Sequence, residues 1–386
     1  MEACEVLVIG GGVTGLGITR ALAERGVRVV LLEKNKLGAA TSGHSLRVMH
    51  GGFRYLVKGD IFRLWRSMLA QTELLRLYPD LVTALPCVMP LSGKGFEKRI
   101  PVWLGARFFD TFRLAAKSPL LSAKVLSEHQ LKTIAPLFRN HHQRGCGGLL
   151  WHDALLQSHS ELIQRVREEC KNSGAIIEED CKALSIEGHG LYAITSTTRG
   201  QMAARLVINA SGGHHSSLKF NDQPCFQNIS WVRAFNIIIG KPLVSSHAIG
   251  IPAPSGRLFF LVPRVTTKLN GETLLQENYT AIGTGYVSLE RPEASELLSE
   301  EDIEPFMLEL ESALPGGTLT HSDEFTVEWG ILPREPASKT PLPINKARIN
   351  WISDYYLEVL AAKYTTFLSL GVAIAKQALK RLSKKM

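Results

Sequence analysis

Long apolar runs are missing from this 386-residue chain: no stretch approaches the roughly 18 to 20 residues that a membrane-spanning helix needs. The start of the chain lacks the pattern of a secretory leader, because Glu2 and Glu5 stand where basic residues are required and the apolar run at 6–9 is too short. The six cysteines include no C-x-x-C pair, so neither a zinc site nor a disulfide framework is predicted. These absences predict a cytoplasmic protein without a metal centre.

Acidic residues are also fewer than basic ones. The chain has 44 Lys+Arg against 36 Asp+Glu, a formal net charge of +8. The excess lies in two windows: residues 81–145 have ten basic and three acidic side chains, or +7, and residues 376–386 have five basic and no acidic ones, or +5. The rest of the chain is therefore at about −4. With 45% apolar and 21% charged residues, the composition indicates a folded globular protein rather than a disordered or fibrous one.

The most informative stretch is at the start. A fully apolar run at 6–9 predicts a central parallel strand and leads into G-G-G-V-T-G at 10–15, which a helix-like segment follows. A second apolar strand at 27–32 ends in Glu33, about twenty residues after the glycines. This context is typical of a dinucleotide fold, in which the glycines admit a pyrophosphate to the helix N-terminus and the acid binds a ribose and disfavours NADP.

The next segment is too polar and glycine-rich for the second helix of a simple NAD domain, and it is predicted to be a loop over a ligand. It reads A-T-S at 40–42 and H-G-G-F-R-Y-L at 50–56. Residues 10–56 are thereby similar to the FAD-dependent glycerol-3-phosphate dehydrogenases of the D-amino-acid oxidase class. The resemblance continues in order at 147–155, 206–213, 281–285 and 361–366.

The resemblance implies an α/β fold in which a discontinuous Rossmann-like FAD-binding domain is interleaved with an α+β substrate-binding domain on a mixed or antiparallel sheet. The expected FAD-binding segments are 1–80, 150–220 and 340–386, and the substrate-binding segments are 81–149 and 221–339. By the same resemblance, we expect a short form without the family's C-terminal domain.

The resemblance also implies FAD as a non-covalent cofactor. A histidine near position 44 is linked to the flavin in some relatives, so His44 raises covalent attachment as the alternative. The residues expected to contact FAD are Gly10, Gly12, Val13, Thr14, Gly15, Glu33, Lys34, Thr41, Ser42, Ser45, Arg47, His50, Gly51, Gly52, Ala210, Ser211, Gly212, Lys363, Tyr364, Thr365 and Thr366.

A flavin that oxidises an alcohol takes a hydride from a carbon held over its ring, so the protein has to hold the substrate anion and remove a proton. Arg54 matches the family's substrate-binding arginine, and Lys363 lies in the motif beside the flavin. Tyr55 and His50 are candidate polar contacts. Arg334 is the candidate replacement for a second substrate arginine, which is missing.

Several family positions are changed, and the changes lie on the substrate side. The missing arginine corresponds to Leu332, a candidate catalytic histidine corresponds to Asn236, an acid to Tyr286, and a further arginine to Leu155. The expected function is hydride transfer from C2 of glycerol 3-phosphate, or of a related 2-hydroxy compound, to flavin N5, with quinone or another acceptor taking the electrons. The alternatives are an amine, amino-acid or 2-hydroxy-acid oxidase, a flavoprotein acting on tRNA, and a flavin-binding protein without turnover.

The basic windows contain two amphipathic helical patterns. In 102–117 a helical wheel places Arg107, Asp110 and Arg113 opposite Leu104 and Phe108, and in 372–386 lysines oppose an apolar stripe. Both patterns predict peripheral attachment to the anionic inner face of the cell membrane; the alternative is that the apolar faces pack into the protein's own core. Neither window has an RNA-binding signature beyond charge, so nucleic acid is not the expected partner.

Overall fold

The computed structural model describes residues 2–57, 59–138, 147–214, 218–270, 273–290, 298–319, 323–338 and 340–383. In these ranges the helices α1 to α8 span Val13–Ala23, Phe53–Val57, Ile61–Leu77, Arg99–Ala115, Glu128–Ile134, His159–Asn172, Glu300–Ala313 and Phe367–Ser383. The strands β1 to β19 span Glu2–Ile9, Val29–Leu32, Val48–Met49, Val82–Pro90, Lys124–Leu126, Gly148–Leu156, Ile176–Glu178, Ala183–His189, Tyr192–Thr197, Gly200–Asn209, Lys219–Phe220, Gln223–Pro224, Ser230–Ile239, Ala248–Pro252, Leu258–Asn270, Thr273–Leu289, Phe325–Arg334, Arg348–Trp351 and Tyr356–Leu360.

The first sheet contains the two apolar strands near the start of the chain. Its order is β12-β11-β8-β9-β10-β1-β2-β7, with β19 beside β10 and β18 beside β19. Strand β1 runs parallel to both β2 and β10, and β2 is buried along its whole length. Strands covered on both faces read as continuous apolar runs, which is why the start of the chain shows no alternation.

Helix α1 crosses helix α8 at very short range. A Cβ on Gly17 would lie 2.6 Å from the carbonyl oxygen of Phe367, and a Cβ on Gly371 would overlap the backbone of Gly17. Only glycine leaves room for two helices this close. The crossing places the segment that precedes α8 next to the N-terminus of α1, although these segments come from opposite ends of the chain.

The apolar face of α8 is covered by the protein itself. Ala375 and Leu382 are buried in the core that includes α1, and Val372 and Leu379 pack against that core. The predicted membrane contact of the tail is therefore wrong for the described part of 372–386, because α1 already occupies the face that would meet lipid. Residues 384–386 lie outside the described ranges.

The second sheet is mostly antiparallel and follows the order β17-β13-β16-β15-β14-β4-β6-β3, with β5 also on β6. Helix α7 packs over it through Ile303, Phe306 and Leu310. The predicted fold class is confirmed: a parallel-centred sheet with helices and a separate, largely antiparallel sheet are interleaved along the chain. Strand β6 contains residue 150, the predicted boundary, and pairs with β4 in the second sheet. The division into two domains stays a prediction.

Helix α4 groups its charged residues on one side, as the helical wheel predicts, but part of that side is buried. Asp110 is only 6% exposed. Its carboxylate accepts a hydrogen bond from the N–H of Ala123 (3.1 Å) and pairs with Arg107 and Arg113. Leu104 and Phe108 are instead 56% and 43% exposed. The carboxylate is buried because it satisfies two guanidinium groups and a backbone donor at once.

The described ranges can be searched for a membrane-spanning helix, for metal ligands and for paired cysteines. Within the described ranges no helix is both long enough and apolar enough to cross a membrane. The same ranges contain no group of three or more potential metal ligands. Five cysteines there are buried and unpaired, namely Cys4, Cys87, Cys170, Cys181 and Cys225, while Cys146 lies outside these ranges.

Candidate active site

A cavity of about 470 Å³ lies between the two sheets. One side is formed by the ends of β1, β2 and β10 and the start of α1, and the other by β13, β16 and β17. The loop at 39–46 and the segment at 361–364 close it. The cavity therefore lies at the carboxyl ends of parallel strands, where open α/β sheets bind their ligands.

The glycine turn forms a cradle at the start of α1. Gly10 has φ of 108°, and a Cβ there would lie 2.7 Å from the carbonyl oxygen of Ala210, so the turn requires glycine. Gly12 is the N-cap of α1 and supplies no side-chain cap, although Ser42 Oγ accepts from the N–H of Val13 (3.1 Å). The positive end of the α1 dipole thus faces the cavity and suits a phosphate.

Glu33 marks the opposite end of the cavity from the substrate sheet. Its carboxylate accepts from the N–H groups of Gly11 (2.7 Å) and Asn35 (2.9 Å), which fixes its orientation. Cys181 and Lys182 line the same end but were not predicted. They reach it only because β2 pairs with β7, a contact that no local pattern in the sequence indicates.

At the other end, the loop is tied to the substrate sheet. Thr41 Oγ1 accepts from the N–H of Ile331 (3.0 Å) and donates to its carbonyl oxygen (3.1 Å). Asn236 Nδ2 donates to the carbonyl oxygen of His44 (3.1 Å), and Asn236 Oδ1 accepts from Thr284 Oγ1 (3.1 Å). Asn236, at the position of the family's histidine, therefore acts as a clamp that ties the loop at 39–46 to strands β13 and β16.

A cluster of cations surrounds the ring of Tyr55 near this end. Lys363 Nζ lies 4.6 Å from the ring centroid, and the guanidinium carbons of Arg63 and Arg54 lie at 5.1 and 5.9 Å. Arg63 is neutralised by Asp60 (3.1 Å), whereas in the described part of the chain neither Arg54 nor Lys363 has a carboxylate partner. Two uncompensated cations beside a cavity are a candidate site for a small anion.

Tyr286 connects this cluster to the cavity wall. It lines the cavity, and although burial raises the pKa of its phenol, the nearby Arg54 guanidinium opposes that rise. Lys363 lines the cavity as well. The anion site and the cavity are therefore continuous.

His50 is oriented by a buried carboxylate. Its Nδ1 lies 2.8 Å from Asp153 Oδ2, which also accepts from the indole N–H of Trp151 (3.2 Å); Asp153 Oδ1 accepts from the N–H of Gly51 (2.7 Å) and from Gln71 Nε2 (3.2 Å). Burial alone would raise the pKa of Asp153, but His50 and the other donors hold it below its ordinary value. The anionic Asp153 therefore selects the His50 tautomer with hydrogen on Nδ1, which leaves Nε2 as an acceptor.

A second buried polar cluster lies behind the loop. Ser45 Oγ is 2.7 Å from His159 Nε2, and Arg264 binds both carboxylate oxygens of Glu328 at 2.8 Å and the carbonyl oxygen of Ser45 at 3.0 Å. Burial, together with Arg47 and Arg264, lowers the pKa of His159 to about 3. His159 is therefore neutral at physiological pH.

A model of the FAD dependent oxidoreductase family matches residues 5–356. The chain belongs to that family. Glycerol-3-phosphate dehydrogenase 1 of Mycobacterium tuberculosis is 36% identical over 217 residues, which cover 54% of this chain and 42% of that protein. The mitochondrial glycerol-3-phosphate dehydrogenase of Mus musculus is 25% identical over 404 residues, covering 97% and 53%. The chain thus spans about half the length of these curated relatives.

Among solved structures, the FAD-dependent oxidoreductase fold described above is similar to that of glycerol-3-phosphate dehydrogenase from Bacillus halodurans complexed with FAD. The TM-score is 0.68 at 18% identity, and the match covers 99% of this chain and 65% of that one. At this identity the likeness concerns the fold. The predicted family resemblance, the fold class and FAD as the cofactor are confirmed, whereas non-covalent attachment stays a prediction.

The residues of this FAD-dependent oxidoreductase fit FAD along the cavity. The uncapped α1 N-terminus suits the pyrophosphate and Glu33 suits the ribose. At the other end Tyr364 Oη and His44 Nδ1 are buried and find no hydrogen-bond partner among the described residues. Both residues line the cavity, so a polar ring system placed there would satisfy them.

The predicted cofactor residues of the oxidoreductase fall into two groups. Those that line the cavity are Gly10, Gly12, Val13, Thr14, Glu33, Lys34, Thr41, Ser42, Ser45, Ala210, Ser211, Gly212, Lys363 and Tyr364. Those that are not among its lining residues are Gly15, Arg47, His50, Gly51, Gly52, Thr365 and Thr366. Gly15, for example, packs on the carbonyl of Gly10, and Thr365 Oγ1 contacts Met49 Sδ at 3.6 Å.

Arg334 does not line the cavity, and its candidate role as the replacement arginine stays a prediction. Its guanidinium donates to the carbonyl oxygen of Ser338 (3.0 Å), in the loop that follows β17. Strand alternation puts residues 332 and 334 on one face, but β17 ends at Arg334 and the long side chain turns to the nearest carbonyl. Leu332 is left as the cavity-lining residue.

Proposed function

We propose that this chain oxidises a small anionic 2-hydroxy compound, glycerol 3-phosphate or a relative of it. The observation that carries the proposal is the pair of uncompensated cations, Arg54 and Lys363, on the ring of Tyr55 at one end of the cavity. Bound FAD supplies the hydride acceptor for the C2–H bond. Relatives named glycerol-3-phosphate dehydrogenase support the same class of substrate.

Residues of the chain itself bind the substrate, remove its hydroxyl proton and exclude water. Arg54 and Lys363 hold the anion, and Tyr55 keeps the two cations at fixed positions. His50 Nε2 accepts the hydroxyl proton, and Asp153 stabilises the imidazolium that results. The loop clamped by Asn236 and Thr41 excludes water from the reacting carbon.

Anaerobic titration of the FAD-reconstituted protein tests this function. Glycerol 3-phosphate should bleach the flavin absorbance, and Arg54→Met should raise the half-saturating concentration by about a hundredfold, because one charge-assisted contact of about 3 kcal/mol is lost. Arg28→Met, at a side chain 76% exposed on the first sheet, should change nothing. A protein that binds no FAD, or an Arg54 variant that behaves like the wild type, would contradict the proposal.

We also propose that helices α3 and α4 attach the protein to an anionic membrane surface, from which a quinone takes the electrons. Exposed apolar side chains continue from α4 across to α3, and Trp65 and Phe112 join them with ring centroids 6.1 Å apart. The exposed members are Ile61, Phe62, Leu69, Ile100, Trp103, Leu104, Phe108 and Leu114. Exposed basic residues of the same segment, such as Arg66 and Arg99, would meet lipid phosphates, each contributing on the order of 1 kcal/mol.

Flotation with anionic vesicles tests the attachment. Leu104→Ser together with Phe108→Ser should abolish co-flotation, whereas Leu308→Ser on α7 should not, since Leu308 has the same 56% exposure as Leu104. Flotation that is unchanged in the double variant, or a wild-type protein that does not float, would contradict the proposal. Reduction of a short-chain quinone by substrate-reduced protein tests the acceptor.

A further inference from the structure

We infer that the substrate of this site is a 2-hydroxy monocarboxylic acid with an apolar arm of several carbons, and that Leu332 selects the arm. The inference rests on the proposed function and narrows its substrate. It follows from the position of Leu332 and from the charges on the sheet side of the cavity.

Leu332 is held firmly at the cavity wall. The residues before it are fixed to the loop, because the N–H and carbonyl of Ile331 both bond to Thr41 Oγ1 and a Cβ on Gly330 would lie 2.6 Å from Thr41. Leu332 pairs with Val232 in the sheet and turns its side chain to the cavity. Pro333 and Ala234 continue the wall, so its surface here is apolar.

Among the described residues, the sheet side also presents no arginine to the cavity. Of the arginines near this wall in the described residues, Arg257 is paired with Glu309 (2.8 Å), Arg264 with Glu328, and Arg334 donates to Ser338. None of these three arginines lines the cavity, whereas Lys363 does and Arg54 adjoins it at the ring of Tyr55. A substrate with one anionic end and one apolar end matches this division of charge.

The sheet register gives the length of the arm. Tyr286, beside the anion site, pairs with Ala234 on the next strand, and Ala234 pairs with Gly330 on the strand that contains Leu332. Leu332 is thus two strands away from Tyr286 and two residues along, or roughly 10 to 12 Å between Cα atoms at ordinary strand spacing. An arm that starts beside Tyr286 crosses Ala234 before it reaches Leu332, so contact should grow with each added carbon.

The test compares glycerol 3-phosphate with 2-hydroxypropanoate, 2-hydroxyhexanoate and 2-hydroxydecanoate on the FAD-loaded protein, because the longest arm matches the distance from Tyr286 to Leu332. We expect kcat/KM for flavin bleaching to rise about fourfold per methylene, or roughly 60-fold from 2-hydroxypropanoate to 2-hydroxyhexanoate, to rise further for 2-hydroxydecanoate, and to exceed that for glycerol 3-phosphate. Calorimetric affinities for the corresponding 2-oxo acids should rise in parallel. Leu332→Ala should flatten both series, and Leu332→Arg should reverse the preference in favour of glycerol 3-phosphate. Leu289→Ala, in the same sheet but outside the cavity wall, should leave both series unchanged.

Failure of this inference can be distinguished from failure of the proposed function. If no compound bleaches the flavin, the proposed oxidation fails, and the calorimetric series still decides this inference. If glycerol 3-phosphate is the best substrate and affinity does not depend on the arm, the inference is overturned while the proposed function stands. A Leu332→Ala protein that keeps the full dependence on arm length would also overturn it.

Discussion

Replacing Asp153 by Asn tests whether His50 works through a buried carboxylate. The carboxylate accepts four hydrogen bonds on two oxygens, from His50, Trp151, Gly51 and Gln71. An amide of the same shape keeps one acceptor oxygen and turns its NH₂ group towards the other two donors. If two contacts to a charged acceptor are lost at about 1.5 to 3 kcal/mol each, the free energy of unfolding should fall by about 3 to 6 kcal/mol.

The same change should affect chemistry separately from stability. With a neutral amide beside it in place of the carboxylate, His50 no longer has a fixed tautomer, so Nε2 should often hold a proton and accept none from the substrate. The rate of anaerobic flavin reduction should fall by at least about a hundredfold, with a changed pH profile, at temperatures where the variant remains folded. Urea titration measures the first effect and stopped-flow absorbance the second.

Trp151→Phe is the matched control. It removes one donor from the same carboxylate and leaves His50 paired, so it should cost about 1 to 2 kcal/mol and preserve the pH profile. If Asp153→Asn reduces the flavin at the wild-type rate with the wild-type pH dependence, then His50 does not depend on Asp153 and the assigned role is refuted.

Three further predictions concern the scaffold. Gly371→Val should separate α8 from α1 and lower FAD affinity at least tenfold by fluorescence titration, whereas Gly240→Ala, in open space, should not. The pKa of His159 is about 3 in the folded state and 6.5 in the unfolded chain, so only the unfolded chain takes up a proton between these values. The free energy of unfolding should therefore fall by about 2 kcal/mol between pH 7 and pH 5. His159→Gln should remove that fall in urea titrations. Asn236→Ala should cost about 1 to 2 kcal/mol and weaken FAD binding, and unchanged FAD affinity would show that the clamp is dispensable.

The cofactor half of the site could be predicted because its signals are local. The glycines at 10–15 and Glu33 follow one another within a single strand-helix-strand unit, and each has a task set by backbone geometry. The same holds for Lys363 and Tyr364, whose motif begins directly before α8. In each of these segments, residues that are close in sequence are also close together in the folded site.

The rest depends on long-range pairing. Asp153 lies in an apolar strand, where a lone acid gives no signal until His50 is brought beside it. The amphipathic pattern of α8 shows that one face is apolar but not whether lipid or protein covers it, and the glycine contact with α1 decides for protein. The helical wheel of α4 groups Asp110 with Arg107 and Arg113 correctly, but it does not show that Asp110 is buried, because a wheel does not count the donors that a buried carboxylate satisfies.

The contact between Gly17 and Gly371 has a consequence for synthesis. The cavity takes its first wall from the beginning of the chain and its closing segment, with Lys363 and Tyr364, from the end. During translation the glycine turn at 10–15 therefore waits for the segments up to and including α8 before α8 can dock on α1. We expect a nascent chain to acquire FAD only after α8 has left the ribosome.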